Sequence, residues 1–102
     1  MTRFLVIIRG GSMPEDPEEG ARVMQAWNDW FAELGGAVVD PGSPLSRVRI
    51  ISADGSVGSG DNHSATGYMV IQAGDLEAAV VLAKGCPLGD DMSVEVAETT
   101  AI

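Results

Sequence analysis

The sequence predicts an α+β domain in which an antiparallel sheet carries two helices on one face. Three observations lead there. The run Arg3–Arg9 (RFLVIIR) is apolar without interruption between its arginines, which suits a strand covered on both faces. Two segments, beginning at Asp16 and Asp75, each have the cap, the apolar stripe and the glycine stop of a helix. The elements fall in the order strand, helix, strand, strand with a hairpin extension, strand, helix, strand. That order, with both helices on one face, is the plan of a ferredoxin-like sandwich.

In the first strand Phe4, Val6 and Ile8 point one way and Leu5 and Ile7 the other. Gly10–Asp16 is a loop. Asp16-Pro17-Glu18-Glu19 then starts a helix, with Asp16 as N-cap, Pro17 in the first position and Glu19 in the third. Val23, Met24, Trp27, Trp30, Phe31 and Leu34 recur every three or four residues as a wide apolar stripe, and Gly35-Gly36 ends it. Ala37–Asp40 is a short strand. Pro41-Gly42-Ser43-Pro44 reads as loop, because two prolines in four residues oppose regular pairing. Leu45–Ala53 alternates Arg47 and Arg49 with Val48 and Ile50, a strand with one solvated face; it turns at Asp54-Gly55 and returns through Ser56–Ser59.

Gly60–Thr66 is polar and irregular. Gly67–Ala73 is a second buried strand, followed by Asp75 as N-cap of a helix whose inward face is Leu76, Ala79, Val80 and Ala83. Gly85 and Pro87 stop that helix, and Ser93–Glu98 is an alternating last strand. Two helices cover only one face of this sheet. A strand as apolar on both sides as RFLVIIR therefore asks for a second cover, which a dimer joined sheet to sheet supplies.

The 102 residues suffice for one domain, 1–102, with a single core. Six basic residues against fifteen acidic ones give a net charge of −9, which repels nucleic acid and anionic membranes. Phe4–Ile8 is too short to cross a bilayer, and no cleavage pattern of a signal peptide follows Met1-Thr2-Arg3-Phe4, so cytoplasm is the default compartment. One cysteine rules out an intrachain disulfide and a cysteine-cluster zinc site.

Four features together resemble the YCII-related proteins, especially the branch called DGPF-domain proteins. They are the N-terminal apolar strand ending in glycine, the helix ending in ELGGAVVDPGSPL, the segment GYMVIQAGDLEAAVVLAKGCP, and the closing SVEVAE. The resemblance covers nearly the whole chain and implies a dimeric α+β barrel. Most members of that branch have no established activity, some occur beside sigma-factor-type regulators, and relatives in the barrel superfamily include isomerases, monooxygenases and haem proteins. Where the branch carries Asp-Gly-Pro-Phe, this chain has Gly60-Asp61-Asn62-His63-Ser64-Ala65-Thr66, which matches only the Asp, at Asp61. Of the His–Asp pair proposed as catalytic in YCII proteins, only Asp40 falls near its place, and no histidine lies on the first helix or before it.

His63 is the only histidine and so the only side chain with an unperturbed pKa near neutrality. With Asp61 or Asp40 to orient it, His63 is a candidate general base; the plain alternative is a solvated loop histidine. A single histidine leaves a tight transition-metal or haem site short of ligands, and no cofactor is expected. Cys86 lies at a helix C-terminus, where the dipole disfavours a thiolate. Trp27 and Phe31 fit core packing, while Trp30 is the aromatic expected to face a pocket or a partner subunit. Arg9, Arg47 and Arg49 are candidates to receive an anionic group, or else solvated strand-edge charges. The glycines match no phosphate-binding fingerprint.

The expectation is thus a homodimer that binds a small polar or aromatic molecule in a cleft between sheet and first helix, rimmed by Arg9, Asp40, Asp61 and His63. Isomerase-, lyase- or hydrolase-like proton transfer is one use of such a cleft. The alternative is a non-catalytic interaction or regulatory module.

Overall fold

The computed structural model describes residues 1–11, 15–61 and 63–100. Of the loops expected over Gly10–Asp16 and Gly60–Thr66, residues 12–14 and 62 lie outside the described residues. The elements are β1 (Thr2–Gly10), α1 (Pro17–Leu34), a 3₁₀ turn (Gly35–Ala37), β2 (Val38–Pro44), β3 (Arg49–Ile51), β4 (Val57–Ser59), β5 (Ala65–Ala73), α2 (Leu76–Ala83) and β6 (Met92–Glu98).

Four strands form one sheet in the order β2-β5-β1-β6, every pairing antiparallel. With β3 and β4 set aside, this is a pair of interleaved βαβ units, compatible with the ferredoxin-like plan. Among the described residues, no helix is long and apolar enough to cross a membrane.

The period-two alternation of β1 sorts its residues as expected. Phe4, Val6 and Ile8 are 0 to 7% exposed, and they join Met69, Ile71 and Ala73 of β5 beneath the helices. Leu5, Ile7 and Val70 face the opposite way and are half-buried, with Tyr68 37% exposed beside them. Cross-strand pairing adds Ala97 and Glu95 of β6 and Asp40 and Ser43 of β2 to this open face. Its apolar centre is therefore bordered by polar side chains, and no element among the described residues covers it.

The helices begin where the sequence says they should. Asp16 Oδ1 accepts the Glu18 N–H at 3.0 Å, and Asp75 Oδ1 accepts the Ala78 N–H at 2.8 Å. Along α1, however, only Trp30 is buried, whereas Val23 and Met24 are exposed and Trp27, Phe31 and Leu34 merely flank the core. Val23 and Met24, in the first turns of α1, thus stand outside the core of the described residues. Along α2 the buried residues are Ala79 and Ala83, with Leu82 against the core and Leu76 39% exposed. Alanines on the inner side let the helix axis sit close to the sheet.

Two expectations are corrected. Pro41–Pro44 is not loop: β2 runs through it to Pro44, with Ser43 opposite Tyr68 and Pro44 opposite Gly67. This is possible because β2 is an edge strand whose register slips twice, so a missing proline donor costs no ladder bond that the edge needs. Leu45–Ala53 is not one long strand. Only Arg49–Ile51 is extended, and it pairs with Val57–Ser59 in a separate two-stranded sheet, exposed on both faces. Its turn is well made: Gly55 takes φ +88°, and Asp54 Oδ1 accepts both the Ser56 N–H at 2.9 Å and its hydroxyl at 2.7 Å. Those two bonds hold the Asp54 carboxyl below its ordinary pKa.

Candidate functional site

The candidate residues gather, in part, at the end of the sheet where β1 finishes and β5 begins. There β1 and β5 slip register between Ile8 and Arg9, and Thr66 closes the gap. Its hydroxyl donates to the Gly10 carbonyl at 2.9 Å, with the Ile8 carbonyl at 3.3 Å. Arg9, now on the open face, donates through Nη1 to the His63 carbonyl at 2.7 Å and lies 3.4 Å from Glu95 Oε2 through Nη2. One arginine of the central strand β1 thereby ties the 60–66 loop to the edge strand β6. With both partners largely solvated, the ion pair contributes little stability (about 0–1 kcal/mol); its role is placement.

Asp61 organises the loop from within. Its Oδ1 accepts the His63 N–H at 2.8 Å, and its own N–H donates to Ser64 Oγ at 3.0 Å. The carboxylate thus fastens the backbone of His63 and not its ring. No carboxylate oxygen of the described residues comes within ion-pairing range of the imidazole. Asp40 serves its own turn, accepting the Gly42 N–H at 2.8 Å. It stands opposite Val70, five strand residues from Ala65 and so on the order of 15 Å from the His63 end of β5. Asp40 and His63 are not brought together.

Beside this loop, under the base of the hairpin, lies an open cavity of about 470 Å³. Arg47, Arg49, Asp61, Ser64 and Thr66 are in its walls, together with Leu45 and Val48. Gly60 seals the base: its N–H donates to the Val48 carbonyl at 3.2 Å, and a Cβ there would lie 2.8 Å from Val48 Cβ. Leu45 N–H to the Thr66 carbonyl, 3.0 Å, carries the β2–β5 pairing on into the hairpin. A second cavity of about 610 Å³ lies at the far end of the sheet, among Gly36, Ala73, Ala78 and Leu82, and is nearly all apolar.

Neither cavity lies between the sheet and α1. That space is occupied by Phe4, Val6, Met69 and Ile71 of the sheet and by Trp30, which is 4% exposed. Trp30 is therefore core and not a cleft residue, contrary to expectation, while Trp27 and Phe31 pack half-buried against that core. The physical reason is Gly85: with no side chain after α2, it leaves room for the indole, and a Cβ there would lie 2.8 Å from Trp30 Nε1. Trp27 packs edge-on against Trp30, 5.6 Å between ring centroids, and takes the outer place.

Sequence reasoning passed over Tyr68, Glu95 and Thr66. Tyr68 and Glu95 both flank Ile7 on the open face, and counting in steps of two from Arg9 along β1 would have located that face.

Cys86 is buried at 8% exposure, and burial pushes its thiol up to about 11 from 9.0. At pH 8 the thiolate fraction, and hence iodoacetamide alkylation, is expected to be about 100-fold lower in the folded protein than in urea, as read by mass spectrometry. Because the folded value is the higher one, this group's stabilisation is full below pH 9 and is lost as the pH rises from 9 to 11.

A scan against models of known protein families finds no match, and a search of curated proteins finds no relative.

Proposed function

We propose that this chain is a YCII-like dimeric α+β barrel whose subunits meet through their open sheet faces, and that it binds a small polar or aromatic anion at the hairpin base. One observation carries the reading: three of the six basic residues of a chain with net charge −9, Arg9, Arg47 and Arg49, belong to one end of the molecule. Two of them line the 470 Å³ cavity, next to the hydroxyls of Ser64 and Thr66. The overall charge opposes an anion at long range, but at physiological salt it is screened beyond about 8 Å, so the local cations decide. Val48 and Leu45 supply apolar wall for a ring or short chain.

Binding is favoured over catalysis because, among the described residues, no carboxylate is set to orient the His63 ring. Proton transfer by His63 then has only an unassisted imidazole to draw on. The test is calorimetric titration with benzoate, phenyl phosphate and inorganic phosphate. At least one anion should bind, and Arg47→Ala and Arg49→Ala should each weaken it by about 10–100-fold, the loss of one charge-assisted hydrogen bond. His63→Asn should leave the affinity unchanged. Binding that survives both arginine substitutions would remove the anion site; a loss on His63→Asn would return the ring to the centre of the chemistry.

A further inference from the structure

The β3–β4 hairpin is the feature that nothing above explains. It pairs only with itself, and its three paired residues per strand are exposed on both faces. An isolated two-stranded hairpin is marginal in water, and three pairs with one good turn do not change that. Yet it carries apolar side chains of the kind that normally earn a strand its cover. Ile51 and Val57 stand directly across from each other on one face, 73% and 64% exposed, and Ile50 lies 45% exposed on the other. Single exposed aliphatics need no account, but an adjacent pair at the tip of a projecting element does.

The hairpin also projects. It follows the β2–β5 pairing through the Leu45–Thr66 bond but forms a two-stranded sheet of its own outside the four-stranded one. The molecule measures 44 × 40 × 20 Å with a radius of gyration of 14.9 Å, against about 13 Å for a compact chain of this length. A nine-residue strand such as β5 accounts for about 30 Å of the long dimension.

We propose that β3–β4 is a dimerisation arm that reaches over the sheet-to-sheet junction and lies on the second copy of this chain. This rests on the dimeric reading above and adds to it the element that clasps the partner. A second copy is the occupant that charge favours. Residues 45–59 hold Arg47 and Arg49 against the single acid Asp54, so the arm and its base are +1 in a chain whose remaining residues sum to −10. The open face of the other copy offers what the arm lacks: an apolar centre at Leu5, Ile7 and Val70, with the carboxylates of Asp40 and Glu95 at its margin. It follows that the anion cavity at the arm's base is walled on its outer side by the partner, so that site and dimer are linked.

The test uses the full chain in sedimentation experiments over about 0.1–100 µM, with the double variant Ile51→Asp, Val57→Asp. Both residues lie outside the core, so the variant is expected to fold, and circular dichroism checks this. The wild type should be dimeric and the variant's dimer about 100-fold weaker, the cost of two aliphatic side chains left unburied. As a second reading, Ser52→Cys labelled with a nitroxide, mixed with isotope-labelled unmodified chain, should broaden amide signals of the open sheet face across the dimer; buried Cys86 leaves the label at one place. A wild-type dimer with unaltered association in the variant and no broadening overturns the arm and leaves the dimer standing. A wild type that is monomeric at 100 µM overturns the dimer, and the arm with it.

Discussion

Gly42→Ala is expected to leave little folded protein. Gly42 takes φ +68°, the left-handed region, and a Cβ there would overlap the Tyr68 carbonyl oxygen, lie 2.6 Å from its carbon and 3.0 Å from Met69 Cα. All three atoms are backbone of β5, a strand paired on both sides, and Met69 next to the clash is 1% exposed. The obstacle therefore has no rotamer to change. Either β2 leaves the sheet from Asp40 onward or β5 shifts in the core, and each costs more than about 4 kcal/mol. Against a total stability on the order of 5–10 kcal/mol, that is most of the fold. Gly58→Ala is the control, since nothing lies within 4 Å of its Cβ and its φ is ordinary. Urea denaturation followed by circular dichroism should show the Gly58 variant within about 0.5 kcal/mol of wild type and the Gly42 variant unfolded at low urea. Equal midpoints would mean that β2 does not run along β5 through Gly42.

The same glycine marks where the sequence was legible and where it was not. Alternation in RFLVIIR and the aspartate caps of both helices act within a few residues, and each sets local structure without help from distant chain. Pro41–Pro44 misled because the rule against proline in strands concerns donors a ladder needs, and an edge strand needs few; which strand lies at the edge is a property of the whole sheet. The depth of Trp30, the most buried of the three aromatics of α1, has a similar origin. The spacing places Trp27 and Trp30 on one stripe, but the room that Gly85 leaves, fifty-five residues later, decides which indole goes in. At the candidate site, Asp61 and His63 are neighbours in sequence, which suggests a side-chain pair. Two residues is also the spacing at which an aspartate most readily binds its neighbour's backbone N–H, and that bond took the oxygen.

For the proposed sheet-to-sheet dimer, Ile7→Asp is expected to give a folded monomer. Ile7 sits mid-strand in β1, opposite Tyr68 on one side and Glu95 on the other, with its side chain on the face the helices do not cover. In an isolated subunit the new carboxylate reaches water, and the expense is a β-propensity loss of about 1 kcal/mol. In a dimer closed sheet to sheet it is buried, and two-fold symmetry brings a second copy of it into the same apolar centre. The desolvation of each carboxylate costs several kcal/mol, so the dissociation constant should rise by more than about 1,000-fold. Val6→Asp, one residue earlier, is the contrast: Val6 is 0% exposed under the helices, and there the same substitution should abolish folding altogether. One step along a strand turns the outcome from a lost partner to a lost fold. Light scattering together with thermal denaturation separates the two. An Ile7→Asp protein that still sediments as the wild type does would show that this face is not where the copies meet.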